Sequence, residues 1–242
     1  DGTAHEVING LMQIPAEKRP KFGIVPLGSG NDFSTNIGMP QDPVEALEHI
    51  FTGESYLLDV ATVENEHGDK RYWDNTMSIG LGGVVTINSH KVPLLRGFMM
   101  YLVAVIQTII FHYYVLKVKI VTDTETWEDD VVFFGVCNGP REGGGFITSP
   151  DAIMDDGLLD YTIVKKVSRL LMLRMIPEFM NGSQGKFKSI YMGRAKKLEV
   201  TSKQPMFLHT DGEIFSGFED NTNQLTIEIF PKSLEVIVPI KS

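Results

Sequence analysis

Four glycine-containing segments of the sequence carry residue types that could bind phosphate or transfer a proton. The most informative runs Val25-Pro26-Leu27-Gly28-Ser29-Gly30-Asn31-Asp32-Phe33, an apolar segment followed by glycines and an Asn-Asp pair. Glycines let the backbone approach a ligand closely, and the free N–H groups at a helix start bind anions. We interpret the segment as a candidate phosphate loop, formed by Gly28, Ser29, Gly30 and Asn31. A tight turn closed by an Asx cap is the alternative, since it uses the same residue types.

The other three segments place acidic residues beside glycine. Asp1-Gly2-Thr3 precedes a helical pattern and gives a second turn of the phosphate-binding type. Asp156-Gly157-Leu158-Leu159-Asp160 and Asp211-Gly212-Glu213 lie at the ends of strand patterns, where carboxylates can ligate a metal or accept a proton. Either could also be an ordinary hairpin turn, because Asp-Gly is a strong hairpin signal. The opening on Asp-Gly-Thr indicates that the chain is entered within a motif and that residues precede it.

The first fifty residues alternate between helical and extended patterns. Residues 4–13 have apolar side chains at helical spacing, and Phe22–Val25 is a short apolar run typical of a buried parallel strand. A short helix follows the glycines to Ile37, and Pro43–Phe51 fits another helix. This alternation predicts a parallel α/β layer.

The pattern changes to a long series of strands from about Glu54. Two helical patterns interrupt it, Arg96–Phe111 and Ser168–Met180. The series predicts a mainly antiparallel β-sandwich. We therefore expect a partial α/β domain over residues 1–53 and a β-rich domain over residues 54–242. The strand patterns are Tyr56–Val63, Tyr72–Ile79, Val115–Val121, Asp130–Val136, Leu159–Val164, Leu198–Ser202, Met206–Thr210, Leu225–Ile229 and Ser233–Val238.

Composition narrows the class of protein. The 242 residues carry a net charge of −9, which repels nucleic acid and argues against it as a partner. Cys137 is the single cysteine, so an intramolecular disulfide and a zinc–thiolate site are excluded. A chain with a single cysteine and no possible internal disulfide is typical of a reducing, cytoplasmic setting.

The most apolar stretch, Gly97–Phe111, is shorter than the roughly twenty residues that span a bilayer. It is typical of a buried helix. Two alternatives are an interfacial contact with a membrane and a wall of a pocket that holds acyl chains.

Taken together and in order, these segments resemble the diacylglycerol kinase catalytic family, which includes bacterial lipid kinases and the sphingosine kinases. Asp1-Gly2-Thr3 matches the end of that family's Gly-Gly-Asp-Gly-Thr nucleotide motif. The stretch from Pro26 to Phe33 matches its Pro-x-Gly-[Thr/Ser]-x-Asn-Asp-Phe signature. Ser149 to Asp160 and Leu208 to Glu213 match two later blocks. The resemblance implies a nucleotide-binding α/β domain, a β-sandwich and ATP-dependent phosphorylation of a lipid hydroxyl, with a phosphatidic-acid-type product.

The resemblance also implies roles for individual residues. Glu213 corresponds to the general base, and Asp1 and Asp32 belong to the acidic groups of the catalytic centre. Gly2, Thr3 and the phosphate loop would bind ATP. Asp156, with the backbone oxygens of Ile153 and Leu158, corresponds to a Mg²⁺ site. Asp59 and Asp211 are the supporting acidic residues.

Partners follow from the same resemblance: ATP, a lipid at the membrane surface with peripheral association, and a second copy of the chain as a homodimer. The lipid stays open between diacylglycerol, monoacylglycerol, a sphingoid base and phosphatidylglycerol. His209, between Leu208 and Thr210 in a strand pattern, is interpreted as a hydrogen-bonded structural residue.

Two features depart from the family pattern. The Gly-Gly that should precede Asp1 is absent from this sequence, and Ile79-Gly80-Leu81-Gly82-Gly83 replaces the common Gly-Phe-Asp. Two rival functions therefore stay under consideration. One is an NAD kinase, which shares the Gly-Gly-Asp-Gly-Thr loop, and the other is a catalytically silent lipid-binding module on the kinase fold.

Overall fold

The computed structural model describes residues 2–90 and 95–240 of the chain. Its N-terminal part is helical and contains α1 (Gly2–Met12), α2 (Asp32–Asn36) and α3 (Pro43–Thr52). Short 3₁₀ turns occur at Ala16–Lys18 and Gln184–Lys186. The predicted helices are confirmed here. The predicted strand Phe22–Val25 is reduced to one parallel bridge between Phe22 and Val236, because no other extended segment in the described residues pairs with it.

The rest of the chain forms a large antiparallel sheet, as the strand series predicts. Eleven strands of the described chain pair within it, in the order β12-β11-β3-β5-β4-β10-β13-β1-β2, with β8 bridging β5 and β9. They are β1 (Glu54–Asn65), β2 (Lys70–Trp73), β3 (Thr76–Gly80), β4 (Leu116–Thr122), β5 (Thr126–Cys137), β8 (Leu159–Lys165), β9 (Ile190–Ala195), β10 (Lys197–Ser202), β11 (Leu208–Thr210), β12 (Glu213–Ser216) and β13 (Gln224–Val238). The pair β6 (Arg141–Glu142) and β7 (Phe146–Ile147) forms a separate hairpin, hairpin β6–β7.

Three further helices cover one face of the sheet: α4 (Leu81–Ser89), α5 (Gly97–Phe111) and α6 (Arg169–Asn181). Helices α5 and α6 lie where the sequence predicts them. Helix α4 was not predicted, because its opening Leu-Gly-Gly has low helix propensity. Packing outweighs that cost: a Cβ on Gly83 would lie 2.2 Å from the carbonyl oxygen of Phe207, so glycine permits the close contact with the chain before β11.

Two strand patterns have different bounds in the structure. The predicted strand Tyr72–Ile79 is split between β2 and β3, since the backbone at Asp74 and Asn75 turns its N–H groups toward Asp211. The patterns at Leu225–Ile229 and Ser233–Val238 join into the single strand β13, which pairs along β1 with a register shift between Leu58 and Val60.

Buried side chains form three clusters. One lies inside the sheet around Trp73, Phe134 and Tyr161. A second lies between α4, α5, α6 and the outer face of the sheet, and a third packs α1 and α2 against β1 and β13. Within residues 2–90 and 95–240, every helix is too short or too polar to cross a bilayer. The domain boundary near residue 53 stays a prediction, with α3 ending at Thr52 and β1 beginning at Glu54.

Candidate active site

The turn between β11 and β12 contacts helix α1 and the segment between β2 and β3. Asp211 has φ of 51°, in the left-handed region, and its carboxylate accepts backbone N–H groups from Asp74, Asn75 and Thr76 at 3.0–3.2 Å. It also pairs with Nδ1 of His5 in α1 at 2.8 Å. Burial opposes ionisation of Asp211, but the His5 contact and the backbone donors outweigh it and hold its pKa below the usual range. Asp211 therefore holds α1 against the sheet.

Glu213 lies at the start of α1. A Cβ placed on Gly2 would lie 2.3 Å from Glu213 Oε1, so any side chain at this position would make the Glu213 carboxylate move. The first N–H groups of a helix are unpaired and carry partial positive charge, which suits both a carboxylate and a phosphate. Thr3 follows in α1 and is exposed. Asp1 lies outside the described residues.

The candidate phosphate loop (residues 28–31) connects the extended segment to α2. Asn31 has φ of 53°, and its Oδ1 accepts the N–H of Gly28 at 2.8 Å. The side chain of Asn31 therefore closes the loop, and its backbone oxygen accepts the hydroxyls of Ser34 and Thr35. Gly28 and Ser29 are exposed and Gly30 is partly buried. The loop is thus accessible to a ligand.

Asp32 connects α2 to hairpin β6–β7. Its carboxylate accepts the N–H of Gly144 at 2.9 Å and pairs with Nε of Arg141 at 3.0 Å. Burial raises the pKa of Asp32, and the Gly144 and Arg141 contacts offset part of that rise. A Cβ on Gly144 would lie 3.4 Å from Cα of Gly30, so the hairpin also touches the phosphate loop.

Two acidic residues that the sequence analysis did not single out lie beside these groups. Asp74 is 2% exposed, and burial followed by the charge of Asp211 raises its pKa well above the usual range. Burial raises the pKa of Glu142 to about 7, and the nearby charge of Asp32 adds to the rise. The Asp-Asn pair interrupting a strand pattern could have indicated Asp74. Glu142 carries no sequence signal, because its surroundings come from distant segments.

Two further residues that line the pocket, His209 and Tyr101, lie close to these carboxyl groups. Burial lowers the pKa of His209 to about 4. Its Nδ1 accepts the N–H of Gly212, and its Nε2 lies 2.6 Å from Ser78 Oγ. Both contacts are consistent with a neutral imidazole ring. These are the hydrogen bonds expected of a structural histidine. Tyr101 of α5 was not predicted. Its pKa is raised by burial and then by three carboxylates, those of Asp32, Glu213 and Glu142.

A pocket with a cavity volume of about 130 Å³, partly open to solvent, runs from this acidic group into the space between the helices and the sheet. Asp32, Asp74, Glu142, Asp211 and His209 line its polar end. Apolar side chains from α4, α5, α6, β5, β7 and β8 line the rest: Leu81, Val85, Val105, Ile109, Phe133, Phe146, Val164, Met172, Met175, Ile176 and Phe179. A lining that is acidic at one end and apolar elsewhere suits an amphiphile whose polar head faces the carboxylates.

The predicted metal residues lie in a different loop, residues 151–158. Asp59 is fully buried and accepts the N–H groups of Gly157 at 2.6 Å and Lys232 at 2.7 Å. Burial raises the pKa of Asp59 despite these donors. Its carboxylate therefore supports the loop beneath Asp156 and does not line the pocket described above.

The carboxylate oxygens of Asp156 are both engaged. Oδ1 accepts the N–H of Leu158 at 3.0 Å, and Oδ2 pairs with the guanidinium of Arg194, which also pairs with Asp160 at 3.1 Å. Ile153 is half exposed. Across the described chain, no group of three or more His, Cys, Asp or Glu side chains is arranged to hold a metal. The Mg²⁺ site of Asp156 with the backbone oxygens of Ile153 and Leu158 stays a prediction, and in this structure the Asp156 carboxylate is occupied by protein donors.

Comparison with known proteins gives a consistent result. Residues 75–238 match the family described as the YegS C-terminal NAD kinase beta sandwich-like domain, and residues 1–63 match the diacylglycerol kinase catalytic domain. A curated relative from Yersinia pestis, "Probable lipid kinase YegS-like", is 30% identical over 99% of this chain and 76% of its own length.

Solved structures agree with the family matches. A "putative diacylglycerol kinase" from Bacillus anthracis superposes with a TM-score of 0.76 at 27% identity, over 99% of this chain and 74% of that one. A second structure of that description from the same organism gives 0.71 at 28% identity, over 98% and 75%.

Proposed function

Because the chain belongs to the YegS-like lipid kinases of the diacylglycerol kinase family, which are ATP-dependent, we propose that it transfers the γ-phosphoryl group of ATP to a lipid hydroxyl. The lipid is diacylglycerol or a related molecule, and the product is of the phosphatidic acid type. Family membership decides against the rival NAD kinase function.

The observation that carries this proposal is the pocket. Its apolar walls suit acyl chains, while its polar end places Asp32 and Asp211 next to the turn that carries Glu213. A soluble nucleotide such as NAD has no long hydrocarbon chain, which is the group that burial among Val105, Ile109 and Met172 would favour. The lipid hydroxyl would enter from the apolar side and ATP from the side of the phosphate loop.

In the proposed reaction the lipid hydroxyl attacks the γ-phosphorus of ATP. A new oxygen–phosphorus bond forms, the bond to the β–γ bridging oxygen breaks, and ADP leaves. Glu213 accepts the hydroxyl proton on its carboxylate. Positioning supplies most of the rate, since phosphoryl transfer needs little covalent help from protein.

Backbone groups supply the proposed ATP site. Gly2 and Thr3 at the start of α1, together with Gly28, Ser29, Gly30 and Asn31, are proposed to form the phosphate site, with the Ser29 hydroxyl as a donor and the Gly28 N–H held by Asn31 Oδ1. Asp32 is proposed to keep the phosphate loop and hairpin β6–β7 in register for transfer, through its contacts with Arg141 and Gly144. Asp1 is proposed to lie near the phosphates.

Kinases of this class generally use a divalent metal with ATP, and we propose Mg²⁺. Magnesium is commonly bound by substrate phosphates, waters and one or two carboxylates, so it can enter with ATP without a preformed protein site. We further propose that the protein works at a membrane surface, where its substrate resides, and that it forms a homodimer.

The test is transfer of labelled phosphate from ATP to a panel of lipids in mixed micelles, using protein expressed from the complete reading frame. The panel contains diacylglycerol, monoacylglycerol, a sphingoid base and phosphatidylglycerol, with NAD as a soluble control. We expect transfer to at least one lipid and a loss of at least about 100-fold in Glu213→Gln and Asp32→Asn.

The matched control is Glu128→Gln on an exposed part of β5, which should leave transfer unchanged. Lipid binding without any transfer would favour the catalytically silent module. Phosphorylation of NAD alone would overturn the proposal.

A further inference from the structure

Large apolar side chains are exposed where the end of α5 meets the start of α6. Phe111 is 71% exposed, Ile110 is 42% exposed and Leu170 is 80% exposed. Nε of Arg169 donates to the backbone oxygen of Ile109 at 3.2 Å, which places the start of α6 against the last turn of α5. We call Ile110, Phe111 and Leu170 the apolar corner. A group of exposed apolar side chains marks an interaction site, whereas single ones are ordinary.

Helix α5 is apolar on its outer side as well as on its inner side. Ala104 and Thr108 are fully buried beneath it. With about 3.6 residues per turn, Ile106 and Ile110 lie across the helix from that buried pair. The helix contains no charged residue. A helix that only covered the sheet would carry polar residues on its outer side, so this composition indicates a second apolar partner for α5.

The apolar corner lies beyond the apolar end of the pocket. Tyr101 of α5 is near the carboxyl groups of the polar end. Ile109 lines the pocket about 12 Å further along the helix axis. Met172 of α6 lines it there as well and follows Leu170 by one half-turn. A lipid whose head lies at the carboxyl groups therefore has its acyl chains directed toward the apolar corner.

The charge around the apolar corner is basic, in a chain whose net charge is −9. Lys166, Arg169 and Arg174 are exposed at the start of α6 or just before it. The segments 75–122 and 161–177, which include α4, α5 and most of α6, contain no Asp or Glu. Basic side chains attract anionic headgroups within about 10 Å of a membrane surface, so this local excess can act despite the acidic whole.

Carboxylates that border this region are already paired with other lysines. Within the described chain, Asp129 pairs with Lys165 and Glu178 pairs with Lys186, each at 2.6 Å. The three basic side chains around the apolar corner therefore stay available for a partner of negative charge.

Helix α3 also exposes apolar side chains, but in acidic surroundings. Phe51 is 81% exposed. Glu45 and Glu48 are exposed on the same helix, and Asp42 caps its start. An anionic surface would repel these carboxylates. Charge therefore distinguishes the apolar corner from α3 as a contact for anionic lipid.

We propose that the apolar corner docks on a bilayer that contains anionic lipids. Its three apolar side chains enter the boundary between headgroups and acyl chains, and the basic side chains around it contact the headgroups. This inference rests on the proposed function, because it names the membrane contact through which a lipid reaches the pocket.

The test is sedimentation with lipid vesicles in the absence of ATP. Vesicles of phosphatidylcholine are compared with vesicles that also contain phosphatidylserine, and neither lipid belongs to the substrate panel. Phe111→Ser and Leu170→Ser remove apolar area, and the double variant Lys166→Gln/Arg174→Gln removes charge. Phe51→Ser on α3 is the matched control, since it removes an equally exposed apolar side chain elsewhere.

We expect the wild type to bind the phosphatidylserine vesicles at least about tenfold more tightly than those of phosphatidylcholine. Phe111→Ser and Leu170→Ser should each weaken binding by about tenfold, because a large apolar side chain is lost from the bilayer contact. The double variant should lose the preference for phosphatidylserine, and Phe51→Ser should bind as the wild type does. Melting temperatures within about 2 °C of the wild type would show that the variants are folded.

Two results would overturn the inference. One is absence of vesicle binding by the wild type, or binding that both apolar variants retain in full. The other is a change from dimer to monomer in Phe111→Ser, measured by light scattering, with unchanged vesicle binding. That result would place a second copy of the chain on the apolar corner.

Phosphate transfer separates this inference from the proposed function. In Phe111→Ser, the ratio of transfer to a vesicle lipid over transfer to a dissolved short-chain lipid should fall about tenfold. Vesicle binding that depends on the apolar corner, without transfer to any lipid, would support docking and overturn the kinase reaction. Transfer to lipids with an unchanged ratio and unchanged vesicle binding would support the kinase and overturn docking.

Discussion

Gly2 and Glu213 are far apart in the sequence and in contact in the fold. The contact depends on the absence of a side chain at Gly2, because a Cβ there would lie 2.3 Å from Glu213 Oε1. Gly10 in the same helix is different, with nothing within 4 Å of the corresponding position. The pair gives a matched test of whether the position of Glu213 matters for the reaction.

Gly2→Ala is expected to displace the Glu213 carboxylate and lower phosphate transfer by about 100-fold, the scale associated with misplacing a catalytic group by about 1 Å. Gly10→Ala should leave transfer unchanged and stabilise α1 by about 0.5–1 kcal/mol. Transfer assays and thermal unfolding of both variants check this. Equal activity in Gly2→Ala and wild type would argue against Glu213 as the base.

The pKa values of two buried carboxyl groups, Asp74 and Asp211, are shifted in opposite directions. His5 and the backbone donors lower the pKa of Asp211, while burial and the charge of Asp211 raise that of Asp74. A group whose folded-state pKa is raised above its unfolded value of about 3.9 binds more protons when folded. Asp74 therefore makes the free energy of unfolding fall as pH rises from about 4 through the folded-state pKa of this group.

Asp74→Asn is expected to remove this dependence, because an amide reproduces the neutral acid. At pH 8 the melting temperature of Asp74→Asn should exceed that of the wild type by at least about 2 °C. At pH 5 the difference should be smaller. Thermal unfolding across pH 5–8 measures the difference. Exposed Glu219→Gln should follow the wild type at both pH values. A difference independent of pH would contradict the assignment of Asp74 as the titrating group.

The loop between β7 and β8 is closed by an arginine where the family resemblance predicts magnesium. Arg194 projects from β9 and joins Asp156 to Asp160, and Asp59 holds the loop from below. The guanidinium supplies the positive charge that a cation would supply to these carboxylates. The pair is partly exposed, with Arg194 39% exposed, so its contribution to stability is small.

Arg194→Met is expected to free Oδ2 of Asp156, which allows Mg²⁺ binding by the loop to be tested. The substitution alone should lower stability by less than about 1 kcal/mol. If Asp156, Ile153 and Leu158 can hold the ion, millimolar Mg²⁺ should raise the melting temperature of Arg194→Met by about 2–4 °C more than that of wild type. The same rise in the double variant with Asp156→Asn would show that the ion binds elsewhere.

The pocket exists because helices and sheet enclose it together. Helix α5 supplies Val105 and Ile109, α6 supplies Met172 and Met175, and β5 supplies Phe133 from behind. The acidic end comes from α2, the segment between β2 and β3, hairpin β6–β7 and the turn between β11 and β12. Chain-length selectivity should therefore depend on the apolar walls, while the chemistry depends on the acidic end.

Val105→Phe is expected to shorten the apolar space without touching the carboxylates. KM for a long-chain lipid should rise about tenfold while KM for a short-chain analogue and for ATP stay unchanged, because overpacking affects only what reaches that depth. Met99→Phe on the same helix is 53% exposed and does not line the pocket, so it serves as the control. Equal effects on short and long chains would place the acyl chain elsewhere.

Local patterns in the sequence were sufficient for much of this architecture. Alternation over strands such as β4 and β10, and helical spacing in α1 and α6, reflect periodicities that burial on one face imposes. The glycine and Asn-Asp spacing of residues 28–32 indicated the phosphate loop, because backbone approach to a ligand requires those residue types in consecutive positions.

Other features depended on contacts between distant segments. The break between β2 and β3 follows from donation to Asp211, α4 follows from the close approach of Gly83 to Phe207, and the isolated bridge at Phe22 follows from the position of β13. The position of Glu142 in the pocket and the pairing of Asp156 with Arg194 have no local signal. Burial, pKa and unmet hydrogen bonds are properties of a three-dimensional neighbourhood, so only the folded chain decided which carboxylates share the pocket.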